Sequence, residues 1–563
     1  MKKRRWVERE IDQNQVNKLI IDLDLPRILA RILVARGIVD SKQAQRYLKP
    51  DFTHLPDPMA LAGMKEACAR IEKAVLEGEK IGIFGDYDVD GVTSSVILSE
   101  FLESLGAQVA VTLPNRLTEG YGLSKAGLER LEAKGCRLII TVDCGVTAHE
   151  EVEIARSKNM EVVVIDHHTV PVTLPEAVAV INPHRQDCTR QAHHLCAAGV
   201  VFNMCMALRK HLREQGYFDN RQEPNLTQWL DLVALATVAD VVPLIDDNRV
   251  FVQKGLEIVK KALRPGIKAL LEAAKIAPHK VSSGTLGFHL GPRINAAGRL
   301  ENAMSAVELL RSADYTSALL MAEELDANNQ ARRALEKQIV EEALEEIMSS
   351  SEHESAFGIV VGRESWHPGV VGIVASRLVE KTGKPTIVVG ENGKGSGRSI
   401  PGFNLHEALL SIEETMIGFG GHAHAVGVHV NLEDFDLFQD AFRDYAKSKL
   451  KPEDLVPVLY HDGEIALDEL SEKLVSQLAQ AAPYGRSNPE PVFCIKGAKV
   501  DEFRELKGGH LKGKLSQGLD FIAFGMAEKQ AILDKPVDML VTPEMNEWLG
   551  RRILQLRVKD MLN

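Results

Sequence analysis

Short apolar runs alternate with amphipathic stretches through the first half of the chain. Residues 80–84, 108–113, 137–142 and 161–165 are brief and apolar, which predicts strands, and 91–105, 124–134 and 148–158 have helical spacing between them. Strands alternating with helices of about 10–15 residues predict βαβ units and a parallel sheet covered on both faces. Residues 317–348 then form one long helical stretch. Leu325, Leu335, Ile339, Ala343 and Ile347 share one of its faces, and glutamates fill the others, as on a connecting helix with a solvated acidic side. An α/β pattern restarts with a strand at 358–361, a helix at 369–382 and a strand at 386–389. Beyond Pro452 come short β-like runs at 456–460, 491–496, 518–524, 537–541 and 552–558, which predict a small barrel or sandwich. Residues 1–75, interrupted by Pro26, Pro50, Pro56 and Pro58, read as an N-terminal extension. The expected segments are therefore 1–75, a parallel-sheet domain at 76–310, a connecting helix at 311–352, a smaller α/β domain at 353–450, and a β-rich domain at 451–563.

Composition narrows the class without fixing it. At 563 residues, 45% hydrophobic and 26% charged, the chain is neither disordered nor collagen-like and is too long for one core. No apolar run reaches the roughly 18 residues of a membrane span, so no membrane association is expected. The basic start is followed by Glu8, Glu10 and Asp12 rather than an apolar signal core. Seven cysteines, odd in number and without a C-x-x-C pair, fit a reducing compartment, and a cytoplasmic protein is expected. The net charge of −12 argues against a polyanion-binding surface all over, but leaves room for a local basic groove.

The chemistry lies where the apolar strands of the first domain end. The first runs into G-D-Y-D-V-D-G, with Asp86, Asp88 and Asp90; the third into Asp143-Cys144-Gly145; the fourth into Asp166-His167-His168. Asp240 closes a further apolar run. Ligands of open parallel sheets bind beyond the carboxyl ends of the strands, so these groups converge on one edge. Five crowded carboxylates repel one another unless cations neutralise them. The economical reading is a pair of divalent cations on oxygen and imidazole donors, Mn²⁺ or Mg²⁺ rather than structural Zn²⁺. Residue chemistry alone thus reaches a two-metal phosphoesterase. The loop from Cys188 to Cys196, with His193 and His194, matches no zinc spacing and is read as a connection.

The strings G-D-Y-D-V-D-G-V-T-S, V-D-C-G, I-D-H-H and T-V-A-D resemble the DHH phosphoesterase superfamily, and more narrowly its single-strand-specific 5'→3' exonucleases. L-G-F-H-L-G-P-R-I-N-A-A-G-R at 286–299, W-H-P-G-V-V-G-I-V-A-S-R at 366–377 and G-K-G-S-G-R-S at 393–399 extend the resemblance over most of the chain. It implies a DHH domain, a connecting helix, a phosphate-gripping DHH-associated domain and an OB-fold-like domain that binds single strands. It makes Asp88, Asp90, Asp143, His167 and Asp240 metal ligands, with Asp143 bridging two ions and Asp86 a nearby acid or ligand. His168 would face the scissile phosphate. Ser396 and Arg398 would help hold a 5' phosphate, and Arg116, Arg293, Asn295, Arg299 and His422 would contact substrate. After G-G-H-A the chain departs from the family pattern at His424 and Val426, and His424 is expected to pack.

The expected activity is metal-dependent hydrolysis of single-stranded DNA from its 5' end to 5'-mononucleotides, in recombination and repair. Phe493, Phe503, Phe521, Phe524 and Trp548, interleaved with Lys496, Lys512, Lys514, Arg551, Arg552, Arg557 and Lys559, fit an OB-like surface for stacked bases, although most of these rings must also build its core. The family implies single-strand-binding protein and a RecQ-type helicase as partners, and a monomer. The alternatives are a phosphodiesterase for short oligonucleotides or cyclic dinucleotides, and a non-catalytic single-strand-binding scaffold.

Overall fold

The computed structural model describes residues 4–563 apart from 117, 301, 302, 351, 352, 354 and 549, and only the backbone of 299, 300 and 548. The chain divides into two compact units, Met1–Val7 with Ala327–Leu459, and Glu8–Asp326 with Tyr460–Asn563.

The larger unit is built on a parallel sheet of β1 (Ile81–Gly85), β2 (Val109–Thr112), β3 (Leu138–Val142), β4 (Glu161–Ile165) and β5 (Ala179–Ile181), in the order β2-β1-β3-β4-β5. Every residue of β1 and β3 is buried, which is why these strands read as continuous apolar runs rather than alternating ones. Each fully buried Val, Leu or Ile contributes on the order of 1.5–3 kcal/mol. The three-residue β5 escaped the sequence pattern. Helix α1 (Val89–Ser104) is enclosed on nearly all sides, and its Thr93 and Ser95 hydroxyls donate to the carbonyls of Val89 and Gly91. Helices α2 (Ala197–Glu214), α3 (Leu230–Ala239) and α4 (Asp246–Val259) share the same core. Then come α5 (Gly291–Leu300) and the 35-residue α6 (Tyr315–Ser349), which belongs to this unit as far as Asp326 and to the smaller one from Ala327.

The smaller unit holds a five-stranded mixed sheet of β6 (Ile359–Gly362), β7 (Thr386–Val389), β8 (Lys394–Arg398), β9 (Gly418–His422) and β10 (Ala425–His429). Their order is β9-β10-β8-β7-β6, with β6 and β7 parallel and the other pairs antiparallel.

The last part of the larger unit is a six-stranded sheet of β11 (Phe493–Ala498), β12 (Val500–Leu506), β13 (His510–Leu515), β14 (Asp520–Ala523), β15 (Val537–Trp548) and β16 (Arg551–Leu562). Its order is β11-β15-β16-β14-β13-β12, antiparallel except between β14 and β16. The N-terminal residues do not stand apart as an extension. Val16, Leu19, Leu29, Leu33 and Tyr47 form one core with Phe493, Phe521 and Leu556, while Met64, Cys68 and Ile71 belong to the core of the parallel sheet.

Candidate metal centre

The acids reach the carboxyl edge of the sheet by local rules. Asp88 is the N-cap of α1, its Oδ1 accepting the backbone N–H groups of Asp90 (2.8 Å) and Gly91 (3.1 Å). Asp90, in the first turn, accepts from the N–H groups of Ala197 (2.6 Å) and Ala198 (2.8 Å) at the start of α2. The loop between β1 and α1 is tight: a Cβ on Gly91 would come within 2.6 Å of three backbone atoms of Asp86, so only glycine fits. Asp143 follows β3 in the left-handed region (φ 63°), a strained place for a non-glycine residue and a frequent mark of functional sites. Asp240 ends α3.

These groups converge. His167 Nε2 lies 3.2 Å from Asp143 Oδ1, 3.7 Å from Asp90 Oδ2 and 3.8 Å from Asp240 Oδ2. Burial, then the charge of His168, pushes the His167 imidazole down to about 3, so it is neutral and these approaches are ligand-like rather than ion pairs. Three groups of donor atoms each lie within 4.8 Å of one another: Asp86, Asp88 and Asp143; Asp90, His167 and Asp240; and Asp143, His167 and His168. Asp143 and His167 belong to two groups each.

Without cations this cluster is electrostatically costly. Burial, and then the charge of Asp88, raises Asp90 to about 7; burial, and then Asp90 and Asp88, raises Asp240 to about 8. Burial and neighbouring aspartates hold Asp86 and Asp143 well above the usual carboxylate range. The buried Oδ1 atoms of Asp86 and Asp143 have no hydrogen-bond donor. Orphaned acceptors and like charges on a set of oxygens and imidazoles fit two hard divalent cations of the Mn²⁺ or Mg²⁺ kind.

His168 differs from its neighbour. Burial opposes its charge, but the Nδ1–H bond to Asp166 Oδ1 (2.7 Å) and that carboxylate's charge raise it to about 9. Asp166 resists the pull of burial and sits at about 2, because it accepts from His168 Nδ1 and from the N–H groups of His167, His168 and Val146. The Tyr121 hydroxyl donates to the Asp143 carbonyl (3.2 Å) and lies 3.1 Å from His168 Nδ1. Sequence reasoning gave roles to neither Asp166 nor Tyr121, although one stands in the I-D-H-H string and the other five residues beyond Arg116.

A cleft of about 250 Å³ is lined by Asp86, Tyr87, Asp88, Arg116, Tyr121, Asp143, His168, Asp240 and Asn295. Arg116 places its guanidinium over the Tyr87 ring at 5.0 Å, and Asn295 Oδ1 accepts the Val89 N–H. Arg293 does not line this cleft. It pairs with Asp326 at 2.7 Å and donates to the His289 carbonyl. The Arg299 side chain lies outside the described residues, as does that of Trp548.

Ser396, Arg398 and His422 belong to the smaller unit. Ala425 is the register partner of both Arg398 and His422, and Gly427 that of both Ser396 and Gly420. Cross-strand partners point to the same face, so Ser396, Arg398 and His422 share one side of the sheet over a floor of Gly427, Ala425 and Gly420. His424 is exposed at the β9–β10 turn, where its carbonyl accepts the Ser399 N–H. This corrects the expected packing role: the turn, not a core, surrounds it. In the 188–196 loop Cys188 donates to the Arg190 carbonyl, and His193 stacks on His184.

Comparison with known proteins agrees with this geometry. Residues 80–237 match the DHH family, N-terminal domain, residues 355–448 the DHHA1 domain, and residues 461–560 the RecJ OB domain. The chain is 39% identical to the single-stranded-DNA-specific exonuclease RecJ of Escherichia coli, over 98% of both chains. It is 35% identical to that of Bacillus subtilis, over 99% of this chain and 71% of the relative. Crystal structures of Thermus thermophilus RecJ superpose with TM-scores of 0.84 in complex with Mn²⁺ and 0.79 with Mg²⁺, at 31% and 30% identity; each covers 99% of this chain, and 79% and 78% of the respective chains. With its acid-and-histidine edge, its DHHA1 sheet and its RecJ OB domain, the chain belongs to the RecJ family of single-stranded-DNA-specific exonucleases.

Proposed function

We propose that this chain hydrolyses single-stranded DNA from the 5' end to 5'-mononucleotides, with Asp88, Asp90, Asp143, His167 and Asp240 holding two Mn²⁺ or Mg²⁺ ions and Asp86 beside them. The observation that carries the reading is the convergence of overlapping oxygen-and-imidazole donor groups, sharing Asp143 and His167, on the edge of one cleft. When bound, the cations supply Lewis-acid stabilisation of a phosphodiester and of the attacking water.

The chain's own residues do the rest. His168, held by Asp166, donates to a non-bridging phosphate oxygen; Tyr121 keeps its ring in place. Arg116 adds a second cationic donor at the cleft wall, and Asn295 fixes the start of α1 and with it Asp88 and Asp90. On the smaller unit, Ser396, Arg398 and His422 offer donors above small residues that let a phosphate approach the backbone, a design suited to a 5' terminal phosphate. Arg293 and Arg299 belong to the same proposal, Arg293 acting by anchoring α5 through Asp326. Single-strand-binding protein and a RecQ-type helicase are the proposed partners, in recombination and repair. No described helix is long and apolar enough to cross a membrane; a cytoplasmic monomer is our proposal.

The test uses an end-labelled single strand with Mn²⁺, Mg²⁺ or chelator, beside a duplex and the Asp143→Ala protein. Mononucleotides released from the 5' end of the single strand alone, and abolished by chelator and by Asp143→Ala, are expected. Cleavage confined to dinucleotides would transfer the chain to small substrates, and tight binding without cleavage under either metal would make it a scaffold.

A further inference from the structure

Of the seven acids and histidines gathered at the centre, Asp240 alone follows a helix rather than a strand of the parallel sheet. It caps α3 and is followed at once by Val241, a β-branched residue in the left-handed region (φ 57°), 57% exposed. Such a conformation persists only where the surroundings impose it. From its own domain, the turn is tied by the Val241 N–H, which donates to the Val238 carbonyl at 3.3 Å, and by Asn248 of α4, whose Nδ2 donates to the Pro243 carbonyl. Further ties come from far along the chain, from residues 483–488 just ahead of β11.

That segment grips the turn at three points. The Leu244 N–H donates to the Arg486 carbonyl at 2.9 Å, and Arg486 Nη1 donates to the Val241 carbonyl at 3.3 Å. Leu244, 1% exposed, packs on Gly485, where an added Cβ would stand 2.7 Å from Leu244 Cδ1. The segment is itself rigid. Gly485 and Asn488 exchange backbone hydrogen bonds, and Asn488 Nδ2 donates to the carbonyls of Ala481 and Pro483. It is anchored on both sides: Ser283 Oγ donates to the Tyr484 carbonyl at 2.6 Å, and the buried Arg249 of α4 donates to the carbonyls of Ala481, Ala482 and Tyr47.

We infer that residues 483–488 are a positioning strap for the metal centre, with Arg486 and Gly485 holding the Val241–Leu244 turn so that Asp240 meets its cation in register. The inference rests on the proposed role of Asp240 as a ligand. A carboxylate at a strained helix end, held from outside, loses orientation when the hold is cut, and removing partners that orient metal ligands costs about 10–100-fold in affinity.

The experiment is Mn²⁺ titration of the whole chain without DNA, by calorimetry and by the electron paramagnetic resonance of free Mn²⁺. Arg486→Ala and Gly485→Ala are each expected to weaken Mn²⁺ binding about tenfold, with unchanged affinity for single-stranded DNA in chelator and, for Arg486→Ala, an unchanged thermal midpoint in chelator. Arg486→Lys, which keeps a donor for the Val241 carbonyl, is expected to restore most of the loss. Gly485 lies outside the left-handed region, so its alanine variant tests packing on Leu244 rather than backbone strain. Asp240→Asn serves as the control. If it leaves Mn²⁺ binding intact, the ligand assignment fails; if it weakens binding while both strap variants bind Mn²⁺ normally, the strap alone fails. Loss of DNA affinity with normal Mn²⁺ binding in Arg486→Ala would make Arg486 a phosphate contact instead and overturn the inference.

Discussion

Asp88 spends one oxygen on capping α1 and still belongs to a donor group, so helix-capping and metal-binding readings of an aspartate are compatible descriptions of one side chain. This is why the acids were legible in the sequence: each stands where a strand or helix ends, and the parallel topology sends those ends to one edge. Asp166 and Tyr121 were not legible in the same way, because their roles depend on loops that bring Val146 N–H and His168 within reach. The crowding sets a pH dependence for the metal-free chain. Unfolded, the aspartates ionise near 3.8 and His168 near 6.5; folded, Asp90, Asp240 and His168 keep their protons to about 7, 8 and 9. The native state therefore binds more protons, and stability falls as pH rises from 6.5 to 8. Below 6.5 the neutral His167, at about 3 when folded, works in the opposite direction. Thermal midpoints in chelator are expected to decline across pH 6.5–8, and saturating Mn²⁺ to remove most of the decline by replacing the protons of Asp90 and Asp240. A midpoint in chelator that is flat or rising over that window would refute the electrostatic account.

At the level of elements, the loop between β1 and α1 is the most constrained piece of the centre. Gly91→Ala drives a methyl into the Asp86 backbone, and overpacking of this kind costs about 1–3 kcal/mol. The expected outcome is a folded protein whose Mn²⁺ affinity and nuclease rate both drop about tenfold or more, because Asp86, Asp88 and Asp90 move together. Normal rate and affinity in that variant would show that the loop tolerates displacement. The buried strands β1, β3 and β4 were readable from their unbroken apolar runs. Strands β12 and β13 were not: V-D-E-F-R-E-L is charged and mostly exposed, so its ladder with β13 is set by pairing rather than by a buried face. Residues 1–75 read as an extension because the core partners of their helices, Gln13–Leu23, Arg27–Ala35 and Ser41–Leu48, lie too far along the chain for periodicity to reveal.

Across the whole molecule, the aromatic residues of the C-terminal sheet divide by burial. Phe493 and Phe521 are fully buried, whereas Phe503 and Phe524 are 37% and 52% exposed, with Phe524 edge-on to His510. Base stacking is worth about 1–3 kcal/mol per ring. Phe524→Ala is therefore expected to weaken single-strand binding by about 5- to 150-fold without shifting the thermal midpoint. Phe521→Ala is expected to destabilise the fold by about 3–5 kcal/mol. Equal DNA affinities for Phe524→Ala and the parent would remove that ring from the binding surface. The union of residues 16–47 with the same sheet has a further consequence, for synthesis. Tyr47 donates to the carbonyl of Ala481, 434 residues later. At about 5–20 residues per second, the apolar faces of Val16, Leu19, Leu29 and Leu33 wait about 20–90 s on the ribosome for the strands that cover them. Production of this chain is thus set to depend on whatever shields those helices in the meantime, and slowed translation of its middle lengthens their exposure.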